Sequence, residues 1–183
     1  MNVQIRPYRL DDAEVVAEAV LESLAELQLW MPWCHPDYSV EDTRSWLASQ
    51  VPAFQERSAF EFAIEGSDHQ YLGGCGLNQI DNVNRRANLG YWVRTGAARH
   101  GVATAAVRAL HDWAFAATDL VRLEIVVADG NAASGRVAIK AGAVCEGTLR
   151  RRVVLHGWAR DATMFSLTRD VPVVRPATAG TAV

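Results

Sequence analysis

Two hydrophobic periods alternate along the chain. Val3 to Arg9 alternates apolar and polar residues and predicts a short strand, and Asp11-Asp12 stands where a helix from Ala13 to about Leu27 takes a cap. Leu29-Trp30-Met31-Pro32-Trp33-Cys34-His35-Pro36 is aromatic and twice broken by proline, which predicts a loop. Ser39-Val40-Glu41-Asp42 has the form of a capping box and opens a second helix through about Gln50. Ala59 to Ile64, Tyr71 to Gln79 and Ala87 to Arg94 then read as strands. Their connectors, Gly66-Ser67-Asp68-His69 and Asp81-Asn82-Val83-Asn84, are rich in turn formers and predict consecutive antiparallel hairpins.

The helical period returns from Val102 to Ala117, with Ala106, Val107, Leu110, Trp113 and Ala114 along one stripe and Arg108, His111 and Asp112 elsewhere. Leu123 to Ala128 is a β-branched strand, and Asp129-Gly130-Asn131 turns into a helix from about Ala132 to Ala141, stopped by Gly142. Ala143 to Leu155 and Trp158 to Leu167 pair around His156-Gly157 as a last hairpin. From Val171 the residues carry no period, so 1–170 is read as one domain and 171–183 as a flexible tail. The order is strand, two helices, three strands, helix, strand, helix, two strands, an α/β domain with a mixed sheet.

Composition narrows the function. The chain has 183 residues, 50% of them hydrophobic, which suffices for one well-packed domain. No apolar run reaches the length of a membrane span, and MNVQIRPYRLDD lacks a signal-peptide core. Cys34, Cys75 and Cys145 form no metal-ligand spacing and no disulfide framework; a reducing cytosol is the expected home, with each thiol a small buried or half-buried side chain. The net charge of −3 argues against nucleic acid as the main partner. Arg150-Arg151-Arg152, the densest basic run, reads as a solvated strand edge.

The chemistry concentrates where strands run into helices. The joint Gly96-Ala97-Ala98-Arg99-His100-Gly101-Val102-Ala103-Thr104 places small residues where backbone amides are bared at a helix N-terminus, a site for an anion such as a pyrophosphate. A second joint, Val126-Val127-Ala128-Asp129-Gly130-Asn131-Ala132-Ala133-Ser134, lies where it can face the same cleft. The dinucleotide fingerprint G-x-G-x-x-G is absent.

These joints resemble those of the GNAT superfamily of N-acetyltransferases. The family's acyl-CoA motif, Q/R-x-x-G-x-G/A, lies over Ala98-Arg99-His100-Gly101-Val102-Ala103; Gly101 and Ala103 match, and Ala98 departs by one missing side chain while the backbone amides remain. The resemblance sharpens to the RimJ/RimL-like branch of ribosomal-protein N-acetyltransferases. Trp30-Met31-Pro32-Trp33, Gly73-Gly74-Cys75-Gly76-Leu77, Leu89-Gly90-Tyr91-Trp92-Val93, Gly101-Val102-Ala103-Thr104, Asn131-Ala132-Ala133-Ser134 and Arg136 to Ala143 follow that branch's order and spacing. Coverage runs from about Ile5 to Arg169.

The resemblance implies a GNAT-type α/β fold: a mixed, mostly antiparallel twisted sheet with helices on both faces and a splayed central strand pair. It implies an acyl-CoA whose pantetheine arm pairs with Tyr91, Trp92 and Val93, and whose pyrophosphate lies on Arg99, His100, Gly101, Val102, Ala103 and Thr104. A backbone N–H beside that arm would stabilise the oxyanion of the attacked thioester. Ser134 becomes the candidate acid for the departing thiolate, and Asn131 a residue that orients the cofactor arm or a water; the same pair also fits plain helix capping. Many relatives carry Glu at the position of Asn88, so the base is sought elsewhere. Glu61, alternating away from Phe60, Phe62 and Ile64, is the best carboxylate, with a strand-surface role as the competing reading. His35 and Asp37 are weaker candidates.

An α-amine, of pKa about 8, needs less help from a base than a lysine side chain at about 10.4, which favours an N-terminal acceptor. Trp30, Met31 and Trp33, with His35 and Asn88, are read as the acceptor wall, a hydrophobic plug under a loop being the alternative. Trp46, Trp113 and Trp158 are read as packing. The expected activity is cytoplasmic acetyl transfer from acetyl-CoA to a primary amine in a direct ternary complex, with no covalent enzyme intermediate because no cysteine lies in either joint to carry the acyl group; no metal is expected. The alternatives are a polyamine, amino acid or aminoglycoside acceptor, a succinyl-CoA donor, and a non-catalytic acyl-CoA-binding sensor. The resemblance also implies a homodimer, while the charge and the apolar runs lead to the expectation of no membrane or direct nucleic-acid partner.

Overall fold

Strand β1 (Val3–Pro7) starts a sheet that the chain fills from one edge. Strands β2 (Phe60–Gly66), β3 (Tyr71–Asp81) and β4 (Arg86–Val93) follow as hairpins, then β5 (Arg122–Ala128), β6 (Val144–Leu155) and β7 (Trp158–Thr168). The computed structural model describes residues 3–169, so the tail expected from Val171 lies outside the described residues. The sheet has seven strands in the order β1-β2-β3-β4-β5-β7-β6. Every neighbouring pair is antiparallel except β4 and β5, which are joined by a crossover through helix α4 (Val102–Ala117), as a parallel pair requires.

That parallel pair is short. Only Arg86 to Asn88 pair with Arg122 to Glu124. Beyond them Leu89 to Val93 pair with β3 alone, and Ile125 to Ala128 with β7 alone. The two strands therefore diverge, closed at one end by Arg86, whose Nη1 donates to Glu124 Oε2 at 3.0 Å, and open at the other. This is the splayed central pair of a GNAT-type sheet.

The side-chain period of two divides the sheet between two cores. Phe60, Phe62, Ile64, Leu77, Leu89 and Leu123 pack under α4 and under α5 (Ala132–Ala141), whose Leu110, Val107 and Ala138 are buried. Ala63 and Tyr71 face the opposite way, into a core with Val16, Val20, Leu27 and Leu47 from α1 (Ala13–Glu22), α2 (Leu24–Trp30) and α3 (Val40–Gln55). Each fully buried large side chain contributes roughly 1.5–3 kcal/mol of hydrophobic stabilisation.

The first predicted helix is two. It breaks at Ser23, a buried residue whose hydroxyl accepts from Thr95 N at 2.9 Å, so the joint after β4 recruits the helix backbone at this point. Leu29 and Trp30 end α2, and the expected loop begins at Met31. Asp12 does not cap α1 with its side chain. Arg6 grips it with two hydrogen bonds of 2.7 Å, and it accepts from Arg9 N at 2.7 Å. The capping box of α3 forms as expected, with Ser39 Oγ accepting from Asp42 N at 3.4 Å and Asp42 Oδ2 accepting from Ser39 N at 2.8 Å. The helix runs past Gln50 and through Pro52 because Phe54 packs edge-on against Phe60 and Phe62.

Trp113 packs on the same phenylalanines, but Trp158 is 74% exposed on the final hairpin, so its expected packing role is not realised. Cys34 and Cys75 are buried; Cys145 is exposed, contrary to expectation, on outward-facing β6. Arg150 to Arg152 lie where β6 slips register against β7 and are solvent-exposed. Among the described residues, no helix is long and apolar enough to cross a membrane.

Candidate active site

Between the diverging strands and helices α1 to α3 lies a cavity of about 710 Å³. Its floor is Gly74, Cys75 and Asn78 of β3 with Asn88 to Trp92 of β4. Ile125 to Ala128, Asn131 and Ser134 close one side, and the loop after α2 closes the other. Trp30, Met31, Trp33, His35 and Asn88 all line it, and so do Glu61, Asn131, Ser134, Tyr91 and Trp92. Trp46, read from the sequence as packing, lines it as well, standing edge-on to Tyr8 at 4.9 Å between ring centroids. Trp33 is 6.3 Å from Trp92 and 5.9 Å from Tyr38, so the acceptor side is aromatic. The lining holds two carboxylates, Glu61 and Asp42, and no Lys or Arg. Asp42 is committed to capping α3, which leaves Glu61 as the carboxylate facing the cavity unpaired by a cation.

Val93 and the residues Arg99 to Thr104 lie outside that lining, at the entrance of α4. Gly101 is the N-cap of this helix, with φ 81°, a left-handed conformation that a side chain disfavours, and no side chain caps the helix. The amides of Arg99 to Thr104 donate no hydrogen bond among the described residues. A Cβ built at Gly101 meets nothing within 4 Å, so the turn has room for a bulky anion.

The first half of the joint departs from expectation. Thr95 N donates to Ser23 and Gly96 N to Glu22 Oε1 at 2.9 Å, while Ala97 N and Ala98 N donate to Arg94 O and Thr95 O. The bared amides therefore begin at Arg99, three residues later than the sequence suggested. Arg94 ties the joint to α1 through Glu18 and Glu22.

The second joint is built differently. Asn131 Oδ1 accepts from Ser134 N at 3.1 Å and caps α5 with its own side chain. Ser134 Oγ lies 2.8 Å from the Tyr91 hydroxyl, which also donates to Ser134 O at 3.0 Å. This hydroxyl pair bridges β4 and α5 across the open end of the splay. Burial pushes the Tyr91 phenol up to about 12, against the opposing pull of Ser134, so it stays protonated near neutral pH. Trp30 reaches across to this joint, 3.6 Å from where a Cβ of Gly130 would stand.

Glu61 projects from β2 onto the cavity face of the sheet. Its partner in register is Gly76, and its carboxylate lies over that glycine, where a Cβ would collide with it. Asn78 Nδ2 donates to Glu61 Oε1 at 3.4 Å, and Asn88 Nδ2 donates to Asn78 Oδ1 at 2.9 Å. Burial pushes the Glu61 carboxyl up to about 7, the hydrogen bond from Asn78 opposing it. A carboxyl poised there exchanges a proton readily at neutral pH. On its other side Glu61 borders a smaller cavity of about 160 Å³, lined by Tyr8, Gln50, Val51 and Phe54.

His35 stands 3.7 Å from Asp42 at the cavity rim, and Asp37 does not reach the lining. Sequence reasoning passed over Asn78, although a polar residue ending the buried run Tyr71 to Leu77 was a visible signal. It also passed over the Tyr91 hydroxyl, having placed that residue on the cofactor strand for its backbone alone.

Comparison with known proteins adds a family to this geometry. The model of the Acetyltransferase (GNAT) domain matches residues 2–144. YdaF of Bacillus subtilis, provisionally named a ribosomal N-acetyltransferase, is 29% identical over 171 residues, covering 92% of each chain. The ribosomal-protein-serine acetyltransferase of Escherichia coli is 28% identical over 144 residues, covering 79% of this chain and 80% of that one. Among solved structures, Mycobacterium smegmatis RimJ in complex with a CoA-disulfide superposes with a TM-score of 0.82 at 27% identity, covering 91% of this chain and 81% of the other. The splayed strands, the uncapped turn and the matched domain lead to one conclusion: the chain belongs to the GNAT family of N-acetyltransferases, with RimJ/RimL-like relatives.

Proposed function

We propose that this enzyme moves an acetyl group from acetyl-CoA to the α-amine of a protein N-terminus by direct attack within a ternary complex. The observation that carries the reading is convergence: an open strand pair, a half-buried carboxyl and a protonated hydroxyl pair border one cavity, with six bared amides at the adjoining helix entrance. Acetyl-CoA supplies an activated thioester carbonyl. The amides of Arg99 to Thr104, left without partners, suit its pyrophosphate. The edge of Tyr91 to Val93 that faces away from β3, free of β5, suits its pantetheine arm, and an N–H there stabilises the oxyanion. Glu61 takes the proton of the incoming ammonium, and Ser134, backed by Tyr91, protonates the leaving thiolate. Asn131 holds the turn that presents Ser134 and orients the cofactor arm.

A single unpaired carboxylate amid aromatic walls suits a monocationic acceptor with an apolar body better than a polyamine, which calls for several acidic partners. The printed names of the relatives, which speak of ribosomal proteins, support a protein acceptor. In the same reading residues 1–170 form one catalytic domain of a cytoplasmic enzyme that acts as a homodimer and uses no metal. An acceptor screen decides it: thiol release from acetyl-CoA with N-terminal peptides, polyamines and aminoglycosides in parallel. Fastest turnover with peptides is expected. Faster turnover with a polyamine overturns the acceptor assignment, and no release with any amine overturns catalysis.

A further inference from the structure

We propose that Asn78 and Asn88, together with the open space at Gly76, form a positioning row that holds the Glu61 carboxylate toward the cavity and sets the pH at which it accepts a proton. The inference rests on the reading of Glu61 as the base and concerns residues that this reading leaves without a role.

The row is directional. An ionised carboxylate only accepts hydrogen bonds, so Asn78 must turn its Nδ2 to Glu61, as it does at 3.4 Å. That leaves Asn78 Oδ1 facing β4, where it needs a donor, and Asn88 Nδ2 supplies one at 2.9 Å. The two amides thus lock each other in the orientation that presents N–H to the carboxylate. Asn78 and Asn88 are partners in register across β3 and β4, so the lock is held by the sheet itself. An amide at position 88 is then a requirement, because a carboxylate there would accept from Asn78 and flip its oxygen toward Glu61. Asn88 Oδ1, with no partner among the described residues, remains on the cavity lining as an acceptor for the amine.

Gly76 contributes by having no side chain. Glu61 lies across it, and a Cβ at that position would collide with both carboxylate oxygens and Cδ. An alanine there forces the carboxylate off the sheet and away from Asn78.

The surroundings leave this row as the main polar control on Glu61. Among the described residues, the titratable group facing it is the Tyr8 phenol from the segment after β1, raised by burial and neutral near pH 7; the Cys75 thiol of β3, likewise raised by burial, turns with Leu77 into the opposite core. Helix α3 presents Gln50, Val51 and Phe54, which carry no charge. Along the same face of β2, Glu65 is paired with Arg6. Across the cavity, His35 faces Asp42.

The test is the pH profile of kcat in Glu61→Gln, Asn78→Ala, Asn78→Asp, Asn88→Ala and Gly76→Ala, with one acceptor peptide throughout so that its own ionisation is common to all. Glu61→Gln removes the acidic limb near pH 7. Removing a donor to the charged form raises the carboxyl pKa, so Asn78→Ala moves the limb up by about one unit, a loss of about tenfold at pH 6 that shrinks as the pH rises past the limb. Asn88→Ala moves it the same way by less, and the isosteric Asn78→Asp, which sets an acceptor against the carboxylate, by more. Gly76→Ala lowers kcat at every pH. If Glu61→Gln keeps its limb, the base assignment fails. If Glu61→Gln loses the limb but the folded Asn78 and Asn88 variants keep it at the wild-type pH, the positioning row fails while the base stands. Lower activity with an unmoved limb marks a merely structural role and likewise overturns the inference.

Discussion

The two strand-to-helix joints look alike in sequence, small residues between a strand and an amphipathic helix, yet they are finished in opposite ways. At α5 a side chain closes the helix: Asn131 takes the Ser134 amide. At α4 nothing does, and Gly101 in a left-handed conformation leaves the first turn's donors bare. A capped entrance is stable by itself and is free to offer side chains, here Ser134. An uncapped one forgoes about 1 kcal/mol of capping stabilisation and offers its backbone to an anion. One joint is therefore suited to chemistry, the other to holding phosphate, and the difference comes from a single residue, Asn against Gly, at the N-cap.

Gly101→Glu tests this contrast most strongly. A carboxylate at the bare turn should weaken CoA binding at least about 100-fold, while Gly101→Ala, which carries the backbone strain alone, should cost far less. Titration calorimetry with CoA separates the two, and equal affinities in both variants would remove the turn from cofactor binding. Next in size is Ser134→Ala, expected to lower kcat about tenfold with little change in the KM for acetyl-CoA. Tyr91→Phe should act in the same direction, and the double variant should be no worse than the more damaging single one, since the two hydroxyls work as a pair.

At the capped joint the expected loss is of stability. Asn131→Ala should lower it by about 1 kcal/mol, a fall of roughly 2–4 °C in Tm, with CoA affinity reduced far less than by Gly101→Glu. A large loss of CoA affinity without a Tm change would reverse the division of labour between the joints. The smallest effect is expected from Glu22→Gln. It removes a negative charge beside the α4 entrance and loosens the Gly96 amide, so CoA should bind about two- to threefold tighter at low salt, and the gain should vanish at high salt. Weaker binding would mean that Glu22 serves the turn by shaping it.

Much of the fold was legible because periodicity is a local property. The succession of strands and helices along the chain, the helices after each joint, the capping box at Ser39 and the stop at Gly142 were all visible in runs of a few residues. The errors fell where a distant residue intervened. Ser23 breaks a continuous helical pattern because Thr95, far along the chain, needs its hydroxyl. Asp12 is drawn from its capping role by Arg6. Trp46 and Trp158 have the same composition signal and opposite fates, one lining the cavity and the other exposed, because only the packing of α3 and the final hairpin distinguishes them.

The site divides along the same line. The two joints, the glycine at the α4 entrance, the aromatic loop and the alternation that turns Glu61 away from its phenylalanine neighbours are written in the chain, since each depends on residues close together along it. The packed fold was needed to part β4 and β5 after three residue pairs, to give the first amides of the turn to Glu22 and Ser23, and to bring Tyr91 to Ser134. It alone aligned Glu61, Asn78 and Asn88 across three strands. Such a row is invisible in one dimension, because strand register, not sequence spacing, brings its side chains within hydrogen-bonding distance.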